Sequence, residues 1–430
     1  MFTQRLAERV VSPDWNSIGV VVVVARLTCC NLLTIVAVML VASTAMIQTV
    51  EADEHNALEE KLLADAADGV LDDFSLLEGA LIASGVTDAG KLAQYRSDFA
   101  DRTAALSNVC RQDEPEMTNS ERIYDFLHNE LLTGKYHSTC TELNRAFDNG
   151  DYNCVTATIL YHCISQAHGL SPVAVATNTH VRSRFLGEPS FDVETTCRDW
   201  FDVARRDPHA MKFRAEQQVT RQLTEVELLA KIYYNRGVSL LEKKSFASAI
   251  ELLRTSQLLD AVDVPTRENI AAGMNNWALE ECDAKNFERA IQLVIEGASR
   301  YPEFVPFLAN DVHIHQRWAV ALCEQCRFAE AMQVLHTAHL RRSDVALFDR
   351  GRAAVLAQWA TSLFENGQLE DASQLFAEAT KWFDELSEIS RCRSIAVQEA
   401  AASLARRGRN DEANRLVRWG GELDATVSQF

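Results

Sequence analysis

Alanine recurs at a fixed interval of 41 residues through the second half of the chain, at Ala249, Ala290, Ala331, Ala372 and Ala413. No other feature restricts the fold as much, because a unit of that length can bury its apolar face only against its neighbours. Three residues before the alanines stand Phe246, Phe287, Phe328, Leu369 and Asn410, and four after them Leu253, Val294, Leu335, Phe376 and Val417. Such offsets mark one face of a helix. Seven residues after the alanines, Ser256, Gly297, Ala338, Ala379 and Gly420 are small enough for a paired helix to approach closely. Residues 227–430 are therefore expected to form five helix-turn-helix units. Trp277, Trp318 and Trp359, thirteen residues before the middle alanines, read as core. The fifth unit reads as a cap, since Asn410 replaces the aromatic residue and Arg406, Arg407, Arg409, Arg415 and Arg418 offer a polar outer face.

The first half carries a different kind of signal. Asp148-Asn149-Gly150-Asp151 is a turn, and after it Val155, Ile159, Leu160, Cys163 and Ile164 form a helical stripe, so Cys154 falls in the first turn of a helix. Unpaired N–H groups and the positive end of the helix dipole favour thiolate there. Cys163, nine residues on, faces the other side and reads as a packed thiol. Gly169 ends the helix, Pro172 opens an extended segment, and His180 follows 26 residues after Cys154. A second extended run, Phe191 to Thr196, offers carboxylates. With a loop centred on Gly187, His180 lies opposite Glu194 and Arg182 opposite Asp192; a slipped register brings Asp192 forward instead. Residues 55–147 have helical periodicity, punctuated by Gly85 and Pro115, with a capping box expected at Thr118-x-x-Glu121.

The order of a cysteine at a helix start, a histidine on the next strand and an acid on the strand after that resembles the core of the bacterial transglutaminase-like superfamily, which shares its outline with papain-type cysteine peptidases. The likeness rests on the helix ending in Gly169-Leu170, on His180 opening a strand-turn-strand hairpin, and on Val193-Glu194-Thr195-Thr196, which resembles the family's Asp-x-Thr segment. Tyr152 stands where the family usually has glycine. The likeness spans roughly residues 55–200 and implies a catalytic triad of Cys154, His180 and Glu194 that needs no metal or organic cofactor. The second half resembles tetratricopeptide repeats, with Gly237 and Pro302 at favoured positions, lengthened from 34 residues by about two helical turns.

The fold expected is an α+β transglutaminase-like domain with a helical N-terminal part, followed by an all-α solenoid and preceded by one transmembrane helix. Its parts are an N-terminus and anchor (1–50), the transglutaminase-like domain (51–205), a connector (206–226) and the repeats (227–430). Residues 27–50 contain no charged residue, long enough to cross a bilayer. Arg5, Arg9 and Arg26 precede them and Glu51, Asp53 and Glu54 follow, which places residues beyond 50 outside the cytoplasm. A cleaved signal peptide with its site near Ser43-Thr44-Ala45 is the other reading.

A net charge of −19 without a basic cluster excludes a nucleic-acid-binding surface. Cys29 and Cys30 lie in the span, leaving an odd nine of the eleven cysteines, so at least one thiol stays unpaired within the chain. Cys323-x-x-Cys326 lies inside a repeat with no second pair, and His313-x-His315 and His336-x-x-His339 lack a carboxylate at a telling offset, so these histidines are expected to face solvent. The functional expectation is a membrane-anchored cysteine amidohydrolase, peptidase or acyl transferase whose repeats bind a protein or peptide. The alternative is a scaffold whose transglutaminase-like domain binds without chemistry.

Overall fold

The computed structural model describes residues 57–427 except 112, 178–179, 199–200 and 202–218, with side chains to residue 421. The stretch expected to cross a membrane, residues 27–50, lies outside the described residues, and no described helix is long and apolar enough to cross one. The described chain is mostly helical with one four-stranded sheet, and it forms two compact units that divide between Gly273 and Met274.

The first unit opens with helices α1 (Ala57–Asp65), α2 (Leu76–Ala83), α3 (Ala89–Thr103), α4 (Glu116–Phe126), a π turn at Leu127–Leu131, and the short α5 (Asn144–Asp148). The expected box at Thr118 is not a helix start, because Pro115 already occupies the cap and Thr118 lies in the first turn of α4. True reciprocal boxes begin α2 (Ser75 and Glu78) and α6 (Asn153 and Thr156). Helix α6 (Cys154–Ala167) is buried at every residue from Val155 to Ser165. It is a central helix, buried on all sides, rather than the striped surface helix its spacing suggests. A left-handed Gly169 ends it, as expected.

Strands β1 (Val173–Ala176), β2 (Val181–Phe185), β3 (Phe191–Val193) and β4 (Arg221–Leu223) form an antiparallel sheet in the order β3-β2-β1-β4, with α6 packed on β2. The end of the expected 206–226 connector is thus an edge strand paired with β1. Thr224 then caps α7 (Glu225–Glu242), which packs against α2, α6 and α8 (Phe246–Leu259). Leu229 and Tyr233 of α7, both fully buried, join the same core as Ile159 and Leu160 of α6. The first repeat therefore belongs to the unit that carries Cys154.

Helix α9 (Val264–Asp283) leads into the second unit, whose further helices are α10 (Phe287–Arg300), α11 (Pro306–Glu324), α12 (Phe328–Arg341), α13 (Ala346–Glu365), α14 (Leu369–Glu378), α15 (Leu386–Arg406) and α16 (Asn410–Val427). The second helix of each pair begins at 246, 287, 328, 369 and 410, in step with the 41-residue interval. All five alanines of the period are buried. A Cβ on Gly297 would enter the Phe307 ring, which explains the small residue there. Trp318 stacks on Phe287 and Trp359 on Phe328, while Trp277 carries Arg289 over its ring. The arginines of the last repeat are exposed or half-buried, with Arg409 paired to Glu412 and Arg407 to Glu365.

The period has a backbone cause that the side-chain pattern conceals. Lys244, Lys285, Cys326, Gly367 and Gly408, again 41 residues apart, all have φ between 58° and 78°. At each, the next residue's N–H reaches back to close a Schellman turn, as from Ser245 to the Leu240 carbonyl at 2.9 Å and from Arg327 to that of Leu322 at 2.9 Å. Cys326 is thus a turn residue with an unfavourable backbone, and Cys323 is a buried core thiol. Cys326→Gly should stabilise the second unit by up to about 1 kcal/mol, because only glycine enters this conformation without steric cost. Tryptophan fluorescence in a urea gradient measures it; an unchanged or lowered midpoint would refute the strain.

Candidate active site

Two backbone devices set Cys154. The Asn153 side-chain oxygen accepts from the Thr156 N–H at 2.9 Å, and the Thr156 hydroxyl accepts from the Asn153 N–H at 2.9 Å, which starts α6 at Cys154. Upstream, Gly134 N–H donates to Gly150 O, Tyr152 N–H to Lys135 O and His137 N–H to Tyr152 O, so residues 134–137 run parallel to 150–152. Gly150 has φ +77° and lies against Gly134 and Thr133, where a Cβ would collide. Cys154 is half-buried, whereas Cys163 is buried in the core, as the helical phase predicts. None of the nine described cysteines is disulfide-bonded.

His180 stands immediately before β2, its carbonyl held by the Thr177 N–H at 2.8 Å. Glu194 follows β3 directly and is buried. The observed register pairs Ser183 with Val193 and Arg184 with Asp192, so the hairpin centres on Glu188 rather than Gly187. His180 is consequently not directly opposite Glu194. The correction amounts to two residues along the partner, and since sheet faces repeat every two residues, the acid remains on the face of His180. His180 Nε2 lies 2.9 and 2.8 Å from the two Glu194 carboxylate oxygens. Asp192, the other acid considered, is occupied by Arg182 and Arg184. Cys154 lies near enough to the imidazole to raise its proton affinity, and with Nε2 committed to Glu194 the nitrogen left for sulfur is Nδ1.

Burial works against a charged imidazole, but the hydrogen bonds and attraction from Cys154 and Glu194 outweigh it and raise His180 to about 10. For Glu194, burial pushes upward, yet the bonds to His180 and Thr196 hold its carboxyl below the ordinary value; Thr196 Oγ1 donates at 2.6 Å. The contribution of His180 to stability is complete below its unfolded value of 6.5 and is lost as pH rises toward 10. That of Glu194 is complete above 4.5 and is lost as pH falls through its depressed folded value. The pair is thus fully stabilising between pH 4.5 and 6.5. The unfolding midpoint of the wild type should exceed that of Glu194→Gln most in this window, with the gap narrowing steadily from pH 6.5 to 10; a constant gap would exclude an ion pair.

Several residues of the site escape sequence reasoning. Tyr152, at the position where glycine was the family norm, is buried, and its hydroxyl donates to the Thr196 carbonyl at 3.2 Å. It braces the approach to Cys154 against the turn that follows Glu194. Its ring meets that of Tyr136 edge-on, with centroids 5.9 Å apart. Burial, the Cys154 and Glu194 charges and Tyr152 push the Tyr136 phenol up to about 12, so it stays protonated beside the site. His162 is buried and bonded to Ser183 at 3.0 Å, which ties α6 to β2, and burial lowers it to about 4. It is a neutral structural histidine. A run such as Gly134-Lys135-Tyr136-His137 has no periodicity and no motif, so nothing along the chain marks Tyr136.

The repeat histidines differ from expectation. His315 is buried, with Nδ1 3.2 Å from Asp311, which also binds Arg341 and Arg342. His339 pairs with Asp349 at 2.9 Å. Asp349 reaches His339 from the following helix, whereas Asp311 stands four residues before His315 on the same helix, an offset that can be read along the chain. Among the described residues no group of three or more His, Cys, Asp or Glu side chains is arranged to hold a metal ion.

No protein-family model matches the chain, and no curated protein matches it. Among solved structures, a chain from the functional characterization of Pseudomonas aeruginosa pilF is similar at 15% identity, covering 47% of this chain and 87% of its own length, with a TM-score of 0.17. A score that low carries no argument, so the repeat assignment rests on the helix boundaries themselves.

Proposed function

We propose that the 57–273 unit is a transglutaminase-like thiol hydrolase or acyl transferase in which Cys154 is the nucleophile, His180 the proton carrier and Glu194 the group that orients the imidazole. The observation that carries this reading is one imidazole bonded at Nε2 to a buried carboxylate, beside a thiol at a helix start that raises its proton affinity. In the reaction, the Cys154 sulfur, whose proton rests on His180 Nδ1, adds to an amide carbonyl carbon. As the C–N bond breaks, the proton passes to the departing amine, leaving a thioester. Water then releases an acid, or a second amine takes the acyl group. No metal or cofactor enters these steps. The test is thiol mapping after brief iodoacetamide treatment at neutral pH: Cys154 should label well before Cys163, and equal or inverted labelling would remove the nucleophile.

The repeat unit is proposed to dock a protein or peptide, the usual role of stacked helix pairs, which also sustains the second reading of a scaffold without turnover. Residues 27–50 are proposed to cross a membrane, with the N-terminus in the cytoplasm and the residues beyond 50 outside it. Protease added to cells whose outer layer is permeabilised should digest residues 51–430; full protection would reverse that orientation.

A further inference from the structure

We propose that the Tyr136 hydroxyl is the second donor of an oxyanion hole whose first donor is the Cys154 backbone N–H. The inference rests on Cys154 acting as a nucleophile, and it supplies what the triad alone lacks, a group for the charge that develops on the attacked carbonyl oxygen. Cys154 is the first residue of α6, so its N–H has no acceptor within the helix and is free to bind that oxygen. One donor rarely suffices, and the neighbouring hydroxyls are spent. The Thr196 hydroxyl donates to Glu194, the Tyr152 hydroxyl to the Thr196 carbonyl, and the Tyr124 hydroxyl to the Glu194 carbonyl.

Tyr136 differs from all of these. Its backbone is fixed by the parallel bridge to Tyr152, two residues before the thiol. The ring meets buried Tyr152 edge-on and is itself 44% exposed, so it stands at the surface beside the residues that lead into the thiol. Its phenol is protonated at neutral pH, as an ordinary tyrosine is, and so has a proton to donate. Tyr136 gives up no proton in the reaction. It shortens a hydrogen bond as the carbonyl oxygen becomes anionic and lengthens it as the thioester forms.

Two reagents separate this role from a role in activating sulfur. With p-nitrophenyl acetate, the thiolate adds to a carbonyl and an oxyanion forms before p-nitrophenolate leaves. Iodoacetamide reacts by displacement of iodide at a saturated carbon, and no oxyanion arises. Tyr136→Phe should slow acylation of Cys154 by about tenfold or more, while its alkylation rate stays within about twofold of the wild type. Cys163, unreactive while the unit is folded, reports any unfolding of the variant within the same sample. Equal slowing in both reactions would overturn the proposal and assign Tyr136 to the thiol; unchanged rates in both would overturn it outright. Wild-type Cys154 that reacts with neither reagent ahead of Cys163 would instead refute the nucleophile, and the oxyanion hole with it.

Discussion

Replacing His180 with alanine is expected to slow alkylation of Cys154 at pH 7 by on the order of 100-fold, the scale of a lost general base. The imidazole stands beside the thiol, and its raised affinity for protons makes it the natural holder of the one that sulfur gives up. Glu194→Gln should cost less, about tenfold, because the amide still bonds His180 Nε2 but no longer compensates its charge. Asp192→Asn should leave the rate nearly unchanged, since that carboxylate serves Arg182 and Arg184. Mass-spectrometric mapping against time, with Cys163 as the slow internal standard, decides among them. A rate in His180→Ala within about threefold of the wild type would leave the helix terminus as the only activator and defeat the proton-carrier role.

The largest effect on stability is expected at Asp260. Its side chain is fully buried, and it accepts from Arg221 of β4 and lies 3.4 Å from Lys231 of α7; Lys231 also reaches Asp263 at 2.6 Å. Asp260→Ala would take a buried partner from two cations at the junction of the edge strand, α7 and the loop after α8. Removing one member of a buried ion pair costs about 3 to 5 kcal/mol. The lower end, about 3 kcal/mol, is expected because Lys231 retains Asp263 and Arg221 retains Glu227 and is partly solvated. The five tryptophans with described side chains, Trp277, Trp318, Trp359, Trp382 and Trp419, all lie beyond residue 273. Exposure of Cys163 to alkylation along a urea gradient is therefore the better reporter for this unit. A shift smaller than about 1 kcal/mol would mean that the cluster is decorative.

Local chemistry made some of this legible along the chain. A polar turn before an apolar run locates the α6 start because capping is a matter of three consecutive residues, and Cys154 follows from it. The 41-residue interval is equally local, repeated five times. What the chain hides is fixed by distant partners. Lys244, Lys285 and Cys326 do not look like turn formers, yet they take the left-handed position that Gly367 and Gly408 occupy in later repeats. There the tertiary gain of pairing two helices overrides the local preference. Strand β4 is three residues long and becomes a strand only because β1 needs a partner. The hairpin register depended on where a five-residue loop centres, which alternation cannot specify, although the parity of the faces survived. The carboxylate of Asp349 reaches His339 only through helix packing, whereas Asp311 stands at i−4 from His315 and only the burial of that histidine was hidden.

The position of β4 bears on how such a chain can be inherited. A strand that completes the sheet leads within two residues into α7, whose Leu229 and Tyr233 fill the core beneath α6. Genetic exchange at residues 206–226, where composition suggests a seam, would hand over a thiol domain lacking a strand and part of its interior. A viable crossover would have to carry the first repeat along. Lineages that lose or duplicate repeats should therefore do so from the second onward, with the first descending alongside Cys154.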